Sequence, residues 1–312
     1  MTFDFTAAFD TLDRNQIIRE LSRLGVHHQN LCWIANFLKD RKDTLVYGNQ
    51  RRQITFQKGV PQGSIIGPLA FIGTTDALRS TCESVLLLKY ADDTAVAAAI
   101  SNEGDLMKYK EAVCAVSSFA EKSGLLLNPS KTQELVIDFR RSRLTPDNLT
   151  RPIEIDGKEI QRSEEISYLG VTLARHLKWD LQVNKMTQSL KKAFYALKLL
   201  KTAGASKAHL LNAYNCFFRP RAEYASIIWG PNLSKTLSDQ LERNNQTAHR
   251  ICHGWQCACT DWETLSQRRQ KQLACIAKLT TYCGVPKART ERYRKSTIPT
   301  IQRILREKYR RR

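Results

Sequence analysis

The stretch Tyr90-Ala91-Asp92-Asp93 decides how this sequence is interpreted. It lies between two short apolar segments, Ser84–Lys89 and Thr94–Ile100, whose composition predicts two β-strands joined by a tight turn. Adjacent carboxylates between buried strands are costly unless a cation or hydrogen bonds compensate their charge. Because Asp-Asp pairs also occur in ordinary polar turns, the tetrapeptide alone leaves a metal-binding hairpin and a plain turn open.

Two distinctive stretches precede this hairpin. Phe3–Asp10 places Asp4 beside a short apolar segment close to the start of the sequence. Lys58–Leu69 has glycines at positions 59, 63 and 67 and prolines at 61 and 68, which we expect to exclude a regular element. Gly63 has no Cβ, so a flat ligand can approach its backbone closely. A helix to about Arg79 is predicted after this loop.

Hydrophobic periodicity predicts the remaining elements. The helices predicted in the first half are Asp13–Leu24, about His28–Lys39, and 103–123, the last of them ended by Gly124. Hairpins are predicted around Gly48-Asn49 and within Ile153–Ile160, strands at Glu134–Phe139 and Ser167–Leu173, and a mobile loop from Arg140 to Asn148. From about residue 180 the period is helical, with further helices near 207–218, 236–252, 262–281 and 298–309.

Positive charge is concentrated in the second half of the chain. Residues 1–150 contain 18 Lys/Arg and 17 Asp/Glu, whereas residues 151–312 contain 31 and 13. This asymmetry predicts a near-neutral first half and a second half that lies on a polyanion, with a solvated basic surface as the alternative. The tail from Lys287, with eleven basic and two acidic residues, is expected to be poorly ordered without a ligand.

The cysteines and the hydropathy indicate the cellular compartment of the protein. Nine irregularly spaced cysteines without a secretory signal indicate reduced thiols in an intracellular protein of the nucleus or cytoplasm. No apolar run approaches the ~18 residues that span a bilayer, so no membrane partner is expected. A zinc site is a minor alternative, because the candidate ligands match no standard spacing and two of them are adjacent. These candidates are His249, Cys252, His253, Cys257 and Cys259.

Five motifs, in this order and spacing, resemble the palm domain of reverse transcriptases. The resemblance is greatest to enzymes of LINE-like, non-long-terminal-repeat retrotransposons. The motifs are Asp4–Asp10, Gly59–Ser64, Tyr90–Asp93, Gly124–Thr132 and Tyr168–Val171. The resemblance runs from Phe3 to about Gly254 and is loose beyond it, except that Asp261 to Tyr282 resembles a helix found after the thumb.

This resemblance implies an α+β fold of the polymerase right-hand type. A palm with a small antiparallel sheet and helices is expected over residues 1–175. An all-helical basic thumb is expected over residues 176–254, followed by a basic helical C-terminal region over residues 255–312.

The resemblance also implies an RNA-directed DNA polymerase that adds deoxynucleotides to a primer 3′-hydroxyl by two-metal phosphoryl transfer. Asp4 and Asp92 are expected to hold two Mg²⁺ ions, with Mn²⁺ as the alternative metal and with Asp93 assisting. Lys131 is a candidate for protonating the leaving pyrophosphate, and a plain surface lysine is the alternative. The implied partners are an RNA template, a DNA primer, the RNA–DNA duplex and deoxynucleoside triphosphates.

Three further residues match substrate positions of the family. Phe9 matches the steric gate whose ring crowds a ribose 2′-hydroxyl and so favours deoxynucleotides; the alternative is a core aromatic. Gln62 and Gly63 match residues that line the nascent base pair.

The sequence also departs from the family pattern. The family has a fingers region before the palm, which we do not find before Asp4, and Gly73-Thr74-Thr75 stands where bulkier residues are expected. Fingers position the incoming triphosphate, so we expect this 312-residue chain alone to extend a primer barely or not at all. Two other hypotheses stay open: a non-catalytic nucleic-acid-binding remnant of the same fold, and a basic helical scaffold whose acids are incidental.

Overall fold

The computed structural model describes residues 1–80, 82–138, 152–155, 157–254, 262–279, 297–298 and 300–302. The chain divides into two units, Met1–Leu169 and Gly170–Arg312. The first combines small sheets with helices, and the described part of the second is almost entirely helical. The expected mixture of small sheets and helices is thereby confirmed. Among the described helices, none has the length and apolar character needed to cross a membrane.

The β-strands are short except for those of two hairpins. In chain order they are β1 (Thr2–Phe3), β2 (Phe5–Thr6), β3 (Arg41–Tyr47), β4 (Gln50–Phe56), β5 (Val85–Tyr90), β6 (Asp93–Ala98), β7 (Leu126–Leu127), β8 (Gln133–Glu134), β9 (Glu154–Ile155), β10 (Lys158–Glu159), β11 (Gln161–Arg162), β12 (Glu165–Tyr168) and β13 (Val171–Ala174).

Helices occur in both units. They are α1 (Ala8–Thr11), α2 (Arg14–Arg23), α3 (His28–Leu38), α4 (Ile66–Thr75), α5 (Glu103–Ser123), α6 (Asp180–Thr202), α7 (Lys207–Ala213), α8 (Arg219–Glu223), α9 (Ser226–Trp229), α10 (Lys235–His253) and α11 (Leu265–Leu279). A π-helical segment, Tyr214–Phe218, follows α7 directly, and residues 297–298 and 300–302 are also helical.

The central sheet of the first unit has the strand order β11-β8-β1-β6-β5. β1 lies in its middle and pairs antiparallel with both β6 and β8, with Phe3 opposite Thr94. β5 and β6 form the predicted hairpin, whose turn is Ala91-Asp92. β8 and β11 pair in parallel, so the sheet is not wholly antiparallel as the resemblance implied. Separate two-stranded sheets are formed by β2 with β7, β3 with β4, and β9 with β10.

Helix α5 packs against the β5–β6 hairpin and has the bounds that the sequence predicts. Asn102 caps its first turn by accepting a hydrogen bond from Asp105 N, and Gly124 ends it in the left-handed conformation, at φ 72°. Its buried face repeats at helical spacing through Leu106, Tyr109, Ala112, Val113, Val116 and Ala120. Each large apolar side chain buried in this way contributes about 1.5–3 kcal/mol.

Helix α4 begins earlier than the sequence predicts. It starts at Ile66, inside the stretch expected to lack regular structure, and ends at Thr75 rather than near Arg79. Pro68 is tolerated because it lies in the first turn, where its missing N–H leaves no intrahelical bond unmade. The small Gly73 has a packing reason, since a Cβ there would lie 2.8 Å from Leu21 Cδ2.

Two predicted strands are wrong in extent. In place of Glu134–Phe139, only Gln133–Glu134 is a strand; residues 135–138 are irregular, and Phe139 lies outside the described residues. Ser167–Leu173 is interrupted at Leu169 and Gly170, whose φ angles of 47° and 73° turn the chain between β12 and β13. The loop predicted from Arg140 to Asn148 and most of the tail from Lys287 also lie outside the described residues.

The second unit is built around the long helices α6 and α10, which pack together. The buried residues on its helices include Leu190, Leu197, Phe218, Trp229 and Leu241. Tyr214 donates a 2.8 Å hydrogen bond to Asn245 Oδ1, which satisfies both polar groups inside this core. The helical periodicity predicted from about residue 180 is confirmed.

Candidate active site

Asp4 and Asp93 come together because β1 and β6 are neighbours. The register pairs Phe3 with Thr94, so Asp4, the next residue after β1, is opposite Asp93, the first residue of β6. The backbone of Asp4 is fixed on both sides: its N–H donates to Thr132 Oγ1 at 3.4 Å, and its carbonyl accepts from Asn128 N at 2.8 Å.

At this end of the sheet, Asp93 is affected by two neighbouring carboxylates. Burial raises the pKa of Asp93, and the negative charges of Asp92 and then Asp4 raise it further. At the end of β12, burial and then the negative charge of Asp93 raise the pKa of the Tyr168 hydroxyl. The sequence identified Tyr168 as the first residue of a motif that resembles the primer-grip strand of the family.

Lys131 supplies the positive charge of this cluster. It belongs to a turn in which the N–H groups of Lys131 and Thr132 both donate to Asn128 O, at 3.2 and 2.9 Å. The turn places Lys131 Nζ 3.8 Å from Asp4 Oδ2. The structure therefore brings Asp4, Asp93 and Lys131 together, with Asp92 in the adjoining turn.

A second cluster forms where the glycine-rich loop meets α1. Phe9 stacks on Phe71 with ring centroids 4.6 Å apart, and its carbonyl accepts a 2.8 Å hydrogen bond from Val60 N. Half-buried Phe9 thus has one ring neighbour in the core, and its role as a steric gate stays a prediction. Gly63 is exposed at φ 81°, with no atom within 4 Å of where a Cβ would lie, which agrees with an accessible backbone.

Asp10 is the residue that the sequence reasoning missed. Gln62 Nε2 donates to both carboxylate oxygens of Asp10, at 3.2 and 3.3 Å, and so links the loop to α1. Gly59 lies so close to Asp10 that a Cβ would be 2.6 Å from its backbone atoms. Asp10 ends the first motif in the sequence, but no spacing rule pairs it with a loop residue 52 positions later.

The carboxylate cluster fits a hard divalent cation in the chemistry of its donors. Carboxylate oxygens are the ligands that Mg²⁺ prefers, and a cation would relieve the like-charge repulsion felt by Asp93. Within the ranges described, however, no group of three or more His, Cys, Asp or Glu side chains is arranged to hold a metal ion. The donor chemistry, rather than a formed cage, is therefore what supports a metal at Asp4, Asp92 and Asp93.

The zinc alternative receives no support from the described ligands. Cys252 is buried; burial raises the pKa of its thiol to about 11, and its Sγ donates to Leu210 O at 3.6 Å. It therefore packs as a protonated thiol. His249 and His253 stack on each other, with ring centroids 4.4 Å apart. Cys257 and Cys259 lie outside the described residues.

Comparison with known proteins identifies the family. Residues 1–173 match the reverse transcriptase (RNA-dependent DNA polymerase) family. The chain belongs to the reverse transcriptase family. It is 28% identical over 244 residues to the RNA-directed DNA polymerase from mobile element jockey of Drosophila funebris, covering 73% of this chain and 25% of that protein. The resemblance to LINE-like retrotransposon enzymes is thereby confirmed.

Another relative of this reverse transcriptase domain also comes from a retrotransposable element. The Retrovirus-related Pol polyprotein from type-1 retrotransposable element R2 of Popillia japonica is 26% identical over 192 residues, covering 54% of this chain and 26% of that protein. The chain thus spans about a quarter of the length of these curated relatives. The structure of apo telomerase from Candida tropicalis aligns with 97% of this chain and 47% of its own chain, at 14% identity and a TM-score of 0.41.

Proposed function

We propose that this reverse transcriptase domain catalyses RNA-directed DNA synthesis for a LINE-like retrotransposon. It would add deoxynucleotides to the 3′-hydroxyl of a DNA primer paired with an RNA template. The observation that carries this proposal is the placement of Asp4 opposite Asp93, with Lys131 Nζ 3.8 Å from Asp4. Acidic side chains from two neighbouring strands lie beside one lysine ammonium. A role in phosphoryl transfer explains this arrangement better than an ordinary surface turn does.

Two Mg²⁺ ions, or Mn²⁺ as the alternative, are the proposed cofactors, with Asp4 and Asp92 holding them and Asp93 assisting. When bound, such ions stabilise the attacking and leaving oxygens of an in-line displacement. The carboxylates must be ionised to serve as ligands, so the raised pKa of Asp93 makes this site more sensitive to acid than isolated aspartates are.

The other residues act on the nucleotide and its leaving group. Lys131, beside Asp4, is the proposed proton donor to the leaving pyrophosphate. The ring of Phe9, held in place by Phe71, would exclude a 2′-hydroxyl. Gln62, oriented by Asp10, and the open backbone at Gly63 would contact the nascent base pair.

The charge of the second unit supports the proposed nucleic-acid partners. Its first long helix, α6, exposes Lys191, Lys192 and Lys198, and residues 170–312 hold 28 basic against 8 acidic residues. Lys/Arg-rich surfaces bind sugar–phosphate backbones without sequence preference. The same observation favours a second candidate function, nucleic-acid binding without catalysis. With either function, the proposed location is inside the cell, in the nucleus or cytoplasm.

Primer extension separates the two candidates. The reaction contains a primed RNA template, deoxynucleotides and Mg²⁺, with the 312-residue chain tested alone and joined to a fingers segment from a relative. Asp92→Asn should reduce extension at least about 100-fold, because a ligand that holds charge in the transition state is lost. Glu111→Gln, on the exposed surface of α5, is the matched control and should leave extension unchanged.

Two outcomes would contradict catalysis. One is extension that Asp92→Asn leaves intact, since the activity would then not depend on this cluster. The other is a folded protein that binds the primed template but does not extend it in either form, which would favour the binding function.

A further inference from the structure

The hairpin β3–β4 of the first unit is exposed to solvent along almost its whole length. Twelve of its fourteen strand residues are exposed to solvent, and the other two, Arg41 and Ile54, are half-buried. Two-stranded hairpins without a covering layer are only marginally stable in water. The two strands pair over seven residues each, yet neither face of the ribbon is covered by other described residues. A binding partner explains such an element better than the chain's own packing does.

The hairpin also concentrates positive charge, whereas the remainder of residues 1–150 carries a net negative charge. Residues 41–58 contain five Lys/Arg and one acidic residue, whereas the rest of residues 1–150 contain 13 and 16. Arg41 pairs with Asp43 at 3.1 Å. Across the described ranges, Lys42, Arg51 and Arg52 form no salt bridge, so these three cations are available to an anionic partner.

The cations lie on both faces of the ribbon. The register pairs Lys42 with Thr55, Val46 with Arg51 and Leu45 with Arg52, and residues directly opposite each other share a face. Alternation along the strands therefore puts Lys42 and Arg51 on one face and Arg52 on the other. Tyr47, 84% exposed, ends β3 beside the Gly48-Asn49 turn.

We infer that the β3–β4 hairpin is a binding surface for duplex DNA and lies in its major groove. That groove, about 12 Å wide, admits a two-stranded β-ribbon, and its two walls are phosphate backbones. Cations on both faces of one ribbon match a groove with anions on both sides. The contacts are to phosphates, so binding is salt-dependent and has little sequence preference. This binding needs neither metal nor nucleotide and is therefore independent of the proposed catalysis.

The first test measures binding of the full 312-residue chain to a short fluorescent DNA duplex of random sequence over a range of salt. The variant K42Q/R51Q/R52Q removes the three unpaired cations. Its matched control, K108Q/K110Q/K122Q, removes three exposed lysines from α5. At about 0.1 M salt the hairpin variant should bind at least about tenfold more weakly, and its slope of log K against log salt should fall by about 2–3. The control should retain most of the affinity.

An RNA duplex of the same length tests the groove. The major groove of A-form RNA is too deep and narrow for side chains to enter, so the hairpin variant should lose much less affinity for RNA than for DNA. Equal losses on the two duplexes would overturn the groove assignment.

The second test needs no variant. Acylation of lysines in the unaltered chain, followed by mass spectrometry, should show Lys42 protected by the DNA duplex, with Lys108 and Lys110 still reactive. Two results overturn the inference: Lys42 equally reactive with and without DNA while the hairpin variant binds normally, or Lys42 protected simply by raising the protein concentration. The latter would assign the hairpin to contacts between copies of the chain.

Discussion

Lys131 Nζ lies 3.8 Å from Asp4 Oδ2, in a pair whose side chains are 69% and 41% exposed. Exposed ion pairs of this kind contribute about 0–1 kcal/mol to stability, so folding has little need of this one. A turn that is held by its own hydrogen bonds nevertheless places the lysine beside the acid that begins the carboxylate cluster. The pair is better explained by the chemistry of the site than by stabilisation of the fold.

Replacing Lys131 should therefore separate activity from stability. Lys131→Gln should change the free energy of unfolding by less than about 1 kcal/mol. It should slow single-turnover primer extension about 100-fold if the ammonium donates a proton to the leaving group. Lys122→Gln, on exposed α5, is the control for loss of a surface charge. A large loss of stability in Lys131→Gln, or an equal loss of activity in the control, would contradict the role.

The two left-handed glycines of the loop should respond very differently to alanine. Gly59 has φ 77°, and a Cβ there would lie 2.6 Å from the backbone of Asp10, whereas Gly63 has φ 81° and open space. Gly63→Ala should cost about 1–2 kcal/mol, the price of the left-handed conformation alone. Gly59→Ala adds a backbone clash and should cost about 3 kcal/mol or more.

Urea unfolding of both glycine variants, followed by far-UV circular dichroism, checks this difference. Equal costs at the two positions would mean that the loop is not held against α1 as the structure places it.

The sequence predicted the elements that local chemistry specifies. Helix α5 was predicted with its bounds because Gly124 ends it and its apolar residues repeat at helical spacing. The carboxylate hairpin was predicted because apolar runs flank a polar turn. Where tertiary pairing decides, prediction failed: β8 stops after Glu134, and a turn at Leu169 and Gly170 divides the run Ser167–Leu173, which was predicted as one strand.

The site was predictable only in part, for the same reason. Family motifs identified Asp4, Asp92, Asp93 and Lys131 as candidates, but the register that puts Asp4 opposite Asp93 comes from the pairing of β1 with β6. The hydrogen bonds between Gln62 and Asp10 likewise depend on how the loop folds onto α1. No local pattern in the sequence encodes a contact between side chains so far apart along the chain.

A buried ion pair should hold the edge of the central sheet together. Glu134, almost fully buried on β8, accepts a 2.7 Å charged hydrogen bond from Arg162 Nε on the parallel strand β11, and Tyr109 also donates to it at 3.3 Å. Arg162→Met should cost about 3 kcal/mol, because it leaves a buried carboxylate without its cation. The double variant E134L/R162M should recover part of that loss, since neither charge remains.

The matched control for this pair is Arg79→Met, which removes an exposed partner of Asp76 and should leave stability unchanged. Urea unfolding of all variants gives the comparison. A double variant less stable than Arg162→Met alone would show that the pair does more than neutralise Glu134.

The second unit should lose stability in mild acid because of His249 and His253. Burial lowers the pKa of both imidazoles; His253 lowers that of His249 further, and nearby Lys207 lowers both. The rings stack on each other and lie edge-on to Trp262, at centroid distances of 4.7 and 5.5 Å. The folded state therefore binds protons less readily than the unfolded chain, so the free energy of unfolding should fall as pH drops below about 6.5.

Urea unfolding between pH 7.5 and pH 5, followed by tryptophan fluorescence, measures this slope. The variant H249Q/H253Q should flatten it, and His209→Gln, on the exposed surface of α7, should not. A slope that survives H249Q/H253Q would assign the acid sensitivity to other groups.

The geometry of the carboxylate cluster can be tested without any activity, through the titration of Asp93. Burial raises the pKa of Asp93 first, and the charges of Asp92 and Asp4 add to it. Removing one neighbouring charge by Asp4→Asn or Asp92→Asn should therefore lower the pKa of Asp93, while burial keeps it above that of a solvated aspartate. Carbon-13 NMR of labelled aspartate carboxyl groups measures the shift directly. Asp10→Asn, which alters an acid outside the cluster, should leave Asp93 unchanged.

Mg²⁺ gives the same titration a second use. If Asp4 and Asp93 share a cation, adding Mg²⁺ should lower the pKa of Asp93 in the unaltered chain more than in Asp4→Asn, because a bound cation stabilises the ionised carboxylate. If Asp4→Asn leaves the pKa of Asp93 unchanged, the two acids do not lie close together. It would remove the geometric basis of the proposed polymerase site while leaving the nucleic-acid-binding function untouched.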